Sequence, residues 1–379
     1  MSDQKPFQIL LVEDSPTSAE LANYWLEDGL KKPFVLHKAT RLATALEILR
    51  QGIIDLTILD LNLPDSLGIK TFLAVHAESS HIPIVVLSSD ADEELAVEAV
   101  RQGAQDYVVK NNGVANPLAR PVRFAWERVQ RHRAEAALRE NERQLYVARS
   151  VQQYLLPDHP PTLVGFDIAG RCEPADLIGG DYYDFIPMRD GTWGLVIADV
   201  SGHGMAAALM SVEVRAVLRS LVRQGLSLSD ILGIGNELIT PDLDCRFVTA
   251  FFSVLQPETR TVRYGSAGHP ALVLRADGTL QMLNSLTAPL GVHDGETVVS
   301  DEIILCEGDL LVLYTDGLLE RFSPRDELFG LTRIVSVLRE HRHRPAAEIM
   351  AGVFQAVRDY AEGRDPSDDE TLVVVKVVP

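Results

Sequence analysis

Two sets of acidic residues stand where apolar stretches end and the chain must turn. In the carboxyl-terminal half, Asp181 follows Gly179 and Gly180, and Asp199 closes GLVIAD ahead of Ser201-Gly202-His203-Gly204. Asp316 closes LLVLYTD ahead of Gly317, and Asp368 and Asp369 precede the last apolar run. Glycine beside each turn lets backbone approach a ligand closely. Short carboxylates from separate strand ends, with no P-loop, nucleophile elbow or HExxH nearby, suit a pair of oxygen-loving divalent cations. Each acid alone has a plainer reading: Asp-Gly is a common turn, and 365–370 has the composition of a solvated loop. The joint pattern is what points to chemistry. His203 and His269 lie in glycine turns of the same region. Histidine titrates near neutrality, yet such residues equally cap strand ends or bond the backbone. The second set is amino-terminal: Glu13, Asp14, Asp60, Ser88 and Lys110, each directly after an apolar run. Three carboxylates suit Mg²⁺, while lysine supplies a point charge and serine a donor for a phosphoryl group. Asp14 by itself would pass for a helix cap.

The elements that must hold these residues differ between the two halves. Strand-length apolar runs at Phe7–Val12, Phe34–Leu36, Leu56–Leu59, Ile84–Leu87 and Tyr107–Val109 alternate with helical patterns at Pro16–Leu26, Leu42–Gln51, Ile69–Ala77 and Glu93–Arg101. That alternation predicts an α/β doubly wound, five-stranded parallel sheet, whose chemistry belongs at the carboxyl ends of the strands. After Pro161 the texture is β-rich. Runs at Phe166–Gly170, Gly194–Ala198, Phe247–Leu255, Thr261–Gly265, Ala271–Arg275, Glu302–Leu305, Leu310–Leu313 and Thr371–Val378 are interrupted by helical patterns at Met205–Arg223, Leu331–Glu340 and Ala346–Ala361. This predicts an α+β sandwich of two sheets flanked by helices. Cys172 reads as a core residue.

Between the halves lies a stretch of another kind. From Val122 to Leu156 there is no glycine or proline, and strong helix formers dominate. Apolar residues recur at sevens, in Val122, Val129 and Ala136, then Ala134, Ala148 and Leu155, with Leu138 and Leu145, and the phase slips near 136. The expectation is one long helix from about Pro117 to Pro157, pairing two chains as an imperfect coiled coil; the plainer reading is a packed inter-domain helix.

The 379 residues are enough for two or three domains. We divide them as 1–116, a helical coiled-coil linker at 117–156, and 157–379. The net charge is −19 overall, −8 over 1–112, +3 over 113–160 and −14 over 161–379. Such acidity argues against nucleic acid or an anionic membrane as the main partner. Cys172, Cys245 and Cys306 show no CxxC spacing, so neither a disulfide framework nor zinc is expected. No run approaches a membrane span and the first residues do not read as a signal peptide, which makes the cytoplasm the expected location.

Residues 7–112 resemble response-regulator receiver domains, in LLVEDS, LDLNLPDSLGI, VVLSSDAD and GAQDYVVK. The resemblance implies phosphorylation of Asp60 by a histidine kinase or phosphotransfer protein. It implies Mg²⁺ held by Glu13, Asp14, Asp60 and the carbonyl of Asn62, and a phosphoryl group bound by Ser88 and Lys110. Tyr107 would turn inward as Ser88 moves. Asn111 stands where many receivers have proline after the lysine.

Residues from about 148 to 379 resemble the metal-dependent PPM (type 2C) Ser/Thr phosphatases of the SpoIIE/RsbU-like branch. The matching pieces run in order: VARSVQQYLLPDHPP, GGDYYDF, GLVIADVSGHGMAAALMS, FVTAFFSVL, YGSAGHPALVL, PLGV, LLVLYTDGLLE and SDDETLVVV. By this resemblance Asp181 and Asp199, with the carbonyl of Val200, bind two Mn²⁺ or Mg²⁺ ions. Asp316 and Asp368 complete the catalytic set, and Asp369 contributes directly or one step removed. Two cations then activate a water for in-line attack on a phosphomonoester without a phospho-enzyme. The resemblance further implies a phosphoserine or phosphothreonine protein as substrate, usually a STAS-type anti-sigma-factor antagonist in this branch. The receiver would gate the phosphatase through a homodimeric linker. A non-catalytic adaptor binding a sigma factor or its regulators is the competing class, and the full aspartate set speaks against it. A DNA-binding output is opposed by the charge of −14 over the carboxyl-terminal part.

Overall fold

A computed structural model describes residues 6–30, 33–88, 93–110, 116–189, 191–243, 246–285, 287–293 and 298–379; Asn111 and Cys245 lie outside the described residues. The chain divides into two compact units, Met1–Asn141 and Glu142–Pro379.

The first unit runs β1 (Phe7–Val12), α1 (Pro16–Leu30), β2 (Phe34–Ala39), α2 (Leu42–Leu49), β3 (Leu56–Asp60), a two-residue pair β4 (Asn62–Leu63) and β5 (Ser66–Leu67), α3 (Ile69–Glu78), β6 (Ile84–Ser88), α4 (Glu93–Arg101) and β7 (Asp106–Val109). The sheet order is β2-β1-β3-β6-β7, with every pairing parallel. Helices cover both faces, so β1, β3 and β6 are apolar almost without interruption, as strands buried on two sides must be. All five strands run the same way, which brings Glu13, Asp60, Ser88 and Lys110 to one edge.

The long helix α5 spans Ala119–Leu155. Its first turns complete the core of the first unit: Leu118, Val122, Ala125 and Trp126 are buried among Phe7, Ile9, Leu11, Trp25 and Leu26. Trp126 stands edge-on to Phe7, with ring centres 4.5 Å apart and planes at 79°. An aromatic pair of this geometry contributes about 0.5–1.5 kcal/mol beyond its area burial. At the start of the stripe of sevens, Val122 is inside this core and Val129 packs partly buried against it.

The second unit holds β8 (Phe166–Glu173), β9 (Tyr182–Pro187), β10 (Trp193–Val200), α6 (Met205–Val222), α7 (Leu228–Ile239), a 3-10 turn at Thr240–Asp242, β11 (Val248–Gln256), β12 (Thr261–Ala267), β13 (Ala271–Leu274), β14 (Leu280–Leu283), β15 (Ser300–Ile304), β16 (Leu310–Tyr314), α8 (Asp316–Leu319), α9 (Gly330–His341), α10 (Ala346–Ala361) and β17 (Glu370–Val377). Two antiparallel five-stranded sheets, β15-β12-β11-β10-β9 and β14-β13-β16-β17-β8, face each other. Between them lie Phe185, Leu195, Ile197, Phe251 and Val262 from one sheet and Ile168, Val273, Leu311, Leu313, Val373 and Val375 from the other. The outer faces are covered too. Val196, Ala198, Val248 and Phe252 meet Ala207, Val214, Leu218, Ile231 and Leu232 of α6 and α7. Leu272, Val312 and Val374 meet Ile334, Leu338, Val353 and Phe354 of α9 and α10. Each central strand thus alternates between two apolar surroundings, which is why GLVIADV shows no polar alternation. Among the described residues no helix is long and apolar enough to cross a membrane.

Candidate functional site

Two acidic centres form, one in each unit, and their electrostatics differ. In the first unit Glu13, Asp14 and Asp60 offer carboxylate oxygens all within 4.8 Å of one another, a group able to hold a cation. Lys110 Nζ donates to Glu13 Oε2 at 2.7 Å and to Asp60 Oδ2 at 2.6 Å. The Asn62 amide donates to Asp60 Oδ1 at 2.9 Å, fixing the carboxylate at the turn that follows β3. Burial raises the Glu13 carboxyl above its ordinary range; Asp60 adds to this and Lys110 opposes it. For Lys110, burial alone would favour the neutral amine, yet the bonds to Asp60 and Glu13 outweigh it and hold the ammonium above its usual range. Ser88 is buried at the end of β6, and its carbonyl accepts from the Lys110 amide at 2.9 Å. Tyr107 is half-buried on β7, across from Val86. The neighbouring acids have other work. Asp65 accepts from the Leu42 and Ala43 amides at 2.8 and 3.0 Å and caps α2. Asp55 accepts from the Gln8 amide at 2.9 Å and pairs with Arg133, at the opposite end of β3.

In the second unit four segment ends converge. Asp181 immediately precedes β9, Asp199 is the next-to-last residue of β10, Asp316 opens α8, and Asp368 and Asp369 lead into β17. Asp181 is buried, and its Oδ2 accepts from Thr315 Oγ1 at 2.8 Å and Thr371 Oγ1 at 2.6 Å. Its carboxyl is nevertheless pushed well above the ordinary range by burial, then by the charges of Asp199 and Asp369. Asp199 is pushed up to about 7 by burial and by Asp316, Asp368 and Asp369. Asp316 is raised by burial and by Asp368. Among the described residues no ion pair reaches any of these five aspartates. Anionic oxygens that repel one another and lack a cationic side chain are the donor set divalent cations require. No three of them lie as close together as the trio in the first unit.

Asp368 and Asp369 do different things. Asp369 accepts from the Ala175 amide at 2.8 Å and the Gly180 amide at 2.6 Å through separate oxygens, with a longer contact from the Asp181 amide at 3.3 Å. It is a clamp on the turn that presents Asp181. Among the described residues Asp368 accepts from the Asp369 amide alone, at 2.8 Å, and lines a small cleft with His203, Ala175 and Asp176. The glycines are required by proximity: a side-chain carbon at Gly180 would stand 2.8 Å from the Val200 carbonyl, and one at Gly179 would collide with the Asp369 carboxylate.

The two histidines part company. His203 is exposed at the rim. His269 is buried; its Nε2 faces the Tyr314 carbonyl at 2.9 Å and its Nδ1 faces Thr249 Oγ1 at 2.8 Å. Burial lowers it to about 4, against the opposing pull of the Tyr314 carbonyl, so the ring is neutral and both nitrogens are engaged. Cys172 packs partly buried against the inner core, its thiol raised by burial and by Asp181. Three contributors escape a sequence reading: Thr315, Thr371 and Gln152. Gln152, near the end of α5, donates to the Gly179 carbonyl at 2.6 Å and to Ser211 Oγ at 3.2 Å, and accepts from the Gly179 amide at 3.2 Å. Their partners lie far away along the chain, and only the position of Thr315 beside Asp316 hints at a role.

Comparison with known proteins agrees with this architecture. Residues 189–378 match the family described as Stage II sporulation protein E (SpoIIE), and residues 9–119 match the response regulator receiver domain. The chain is 27% identical over 264 residues to Protein IcfG of Synechocystis sp., covering 62% of this chain and 42% of that protein. It is 25% identical over 242 residues to phosphoserine phosphatase RsbP of Bacillus subtilis, covering 62% of this chain and 58% of that one. It therefore spans less than two thirds of either relative. The solved SiaA-PP2C domain of Pseudomonas aeruginosa superposes with a TM-score of 0.58 at 22% identity, covering 64% of this chain and 98% of that domain, a likeness of fold.

Proposed function

This chain belongs to the stage II sporulation protein E (SpoIIE) family, and on that premise we propose that it is a response regulator in which phosphorylation of Asp60 controls a metal-dependent phosphoserine/phosphothreonine protein phosphatase. The proposed parts are a receiver at 1–116, a helical linker at 117–156 that forms a homodimer, and a phosphatase domain at 157–379. The observation that carries the reading is the set Asp181, Asp199, Asp316 and Asp368, which no ion pair among the described residues reaches, with burial and neighbouring aspartates raising the carboxyls of Asp181, Asp199 and Asp316. Divalent cations are the charge that set lacks.

Asp181, Asp199, Asp316 and Asp368, with the Val200 carbonyl, are the proposed holders of two Mn²⁺ or Mg²⁺ ions. Bound there, such ions supply Lewis-acid charge to phosphoryl oxygens and lower the pKa of water. The chain's own residues do the positioning. Thr315 and Thr371 fix Asp181, and Asp369 holds the Gly179–Gly180 turn. In the receiver, Glu13, Asp14, Asp60 and the Asn62 carbonyl would hold Mg²⁺. Lys110 already touches Asp60 and would meet an incoming phosphoryl group, with Ser88 as donor and Tyr107 following Ser88 inward.

The proposed substrate is a phosphorylated STAS-type anti-sigma-factor antagonist in the cytoplasm, and the proposed phosphodonor is a histidine kinase or phosphotransfer protein. Hydrolysis of para-nitrophenyl phosphate tests the enzyme reading. Turnover that requires Mn²⁺ or Mg²⁺ and is lost in Asp199→Ala supports it; turnover unchanged in EDTA, or none with any divalent cation, refutes it.

A further inference from the structure

His269 occupies the passage where the chain leaves one sheet for the other, after β12 ends at Ala267 and before β13 begins at Ala271. Its two ring nitrogens reach in opposite directions. Because Nε2 faces a carbonyl, it must carry the proton, and Nδ1 then accepts from the Thr249 hydroxyl. Thr249 is the cross-strand partner of Asp199 on β11. Tyr314 ends β16, and Thr315 and Asp316 follow at once. One imidazole therefore ties the Asp199 edge of the first sheet to the Asp316 edge of the second. The loop that carries it is itself tied down: the Ser266 hydroxyl donates to the His269 carbonyl, and the Gly268 amide donates to the Thr287 carbonyl at 3.0 Å.

We propose that His269 is a positioning residue that sets the spacing between the Asp199 and Asp316 ends of the two sheets, and hence the span the cations must bridge. This rests on the reading of those aspartates as cation ligands. Two sheets joined face to face by apolar side chains can slide; a donor and an acceptor on one rigid ring fix both sheet edges against each other. Supporting residues of this kind usually change metal affinity 10- to 100-fold when removed.

The test uses the full chain and measures Mn²⁺ binding by calorimetry, together with melting in EDTA. His269→Ala is expected to weaken Mn²⁺ binding ~10-fold. His269→Gln, which keeps a donor and an acceptor, is expected to recover most of it, and Thr249→Val added to His269→Ala should cost nothing more. Wild-type affinity in His269→Ala overturns the proposal, as does a loss that His269→Gln leaves unrepaired. If His269→Ala does not fold, Thr249→Val alone carries the test, and unchanged Mn²⁺ affinity in it overturns the proposal. A wild-type chain that binds no Mn²⁺ overturns the cation reading itself, a result distinguishable from either.

Discussion

Thr371 donates its hydroxyl to Asp181 at 2.6 Å across 190 positions of sequence. The hydroxyl stabilises a buried carboxylate that burial and two neighbouring aspartates push toward protonation. Thr371→Val keeps the shape and removes the donor, so the Asp181 carboxyl should rise further and a proton should compete better with a cation. Mn²⁺ affinity is expected to fall ~10-fold, the scale of a lost supporting bond, and to fall more at pH 6 than at pH 8. Titration of the variant at the two pH values checks the sign; an equal loss at both would separate Thr371 from Asp181 ionisation.

Asp199 makes the cation-free protein sensitive to pH. Its carboxyl titrates at about 7 in the fold, against ~3.9 in an unfolded chain. A folded-state value above the unfolded one means that the native state holds the extra proton between these limits, so the contribution of Asp199 to stability is fully present below about pH 4 and is lost as pH rises through about 7. In EDTA the protein should melt lower at pH 8 than at pH 5.5, and Mn²⁺ should raise the melting temperature more at pH 8. Asp199→Asn should melt higher than wild type in EDTA at pH 8, while Asp199→Ala should lose at least ~100-fold in turnover. Differential scanning calorimetry and rate assays read these outcomes.

Asp60 is expected to be the sole phosphoacceptor. Asp65 is committed to the α2 amides and Asp55 to Arg133 at the other end of β3, which removes the nearest competitors. Acetyl phosphate with Mg²⁺ should add one phosphate by intact mass, and Asp60→Ala should abolish it. Label retained in Asp60→Ala would place the site elsewhere.

Of the heptad positions, Ala134, Ala136 and Leu138 are exposed, and toward the end of α5 pairing of two chains should use a neighbouring face. Ala148 and Leu155 are half-buried on their own unit, whereas Tyr146, Val147, Val151 and Tyr154 are exposed. Val147, Val151 and Tyr154 fall at i, i+4 and i+7, one helical stripe. Val151→Asp should therefore turn a dimer into a monomer in sedimentation and uncouple activity from Asp60, whereas Leu145→Asp should also disturb the unit itself. An intact chain that is monomeric with and without phosphate would exclude pairing.

Much of the fold is legible because its strands are buried on both faces: FQILLV, LTILD, GLVIADV and LLVLY read as strands from composition alone. Several elements of the second unit hide, and two of them show why. The strand Tyr182–Pro187 is aromatic and polar by turns because Asp184 is buried against Arg219, at 2.5 and 2.7 Å. The helix Leu228–Ile239 contains Gly233 and Gly235, which lower its local propensity, and is held by packing and by the Ser227 cap. The aspartates are visible because each stands where an apolar run meets a turn, at its start or at its end. Thr315, Thr371 and Gln152 were not, since hydrogen bonds across 134, 190 and 27 positions leave no periodic trace. Asp368 and Asp369 are indistinguishable in sequence, because adjacent residues of one type diverge in which amides they face.

The grip of Gln152 on Gly179 bears on where this protein can be cut and recombined. A graft that begins at residue 157 would leave Gln152 behind, and one that begins at 189 would also lose Asp181. The exchangeable part therefore starts upstream, inside the helix, and must bring its final turns along. Residues 134–144 are exposed throughout, a natural splice zone upstream of Gln152 where a different amino-terminal module can be joined while the grip on Gly179 is kept.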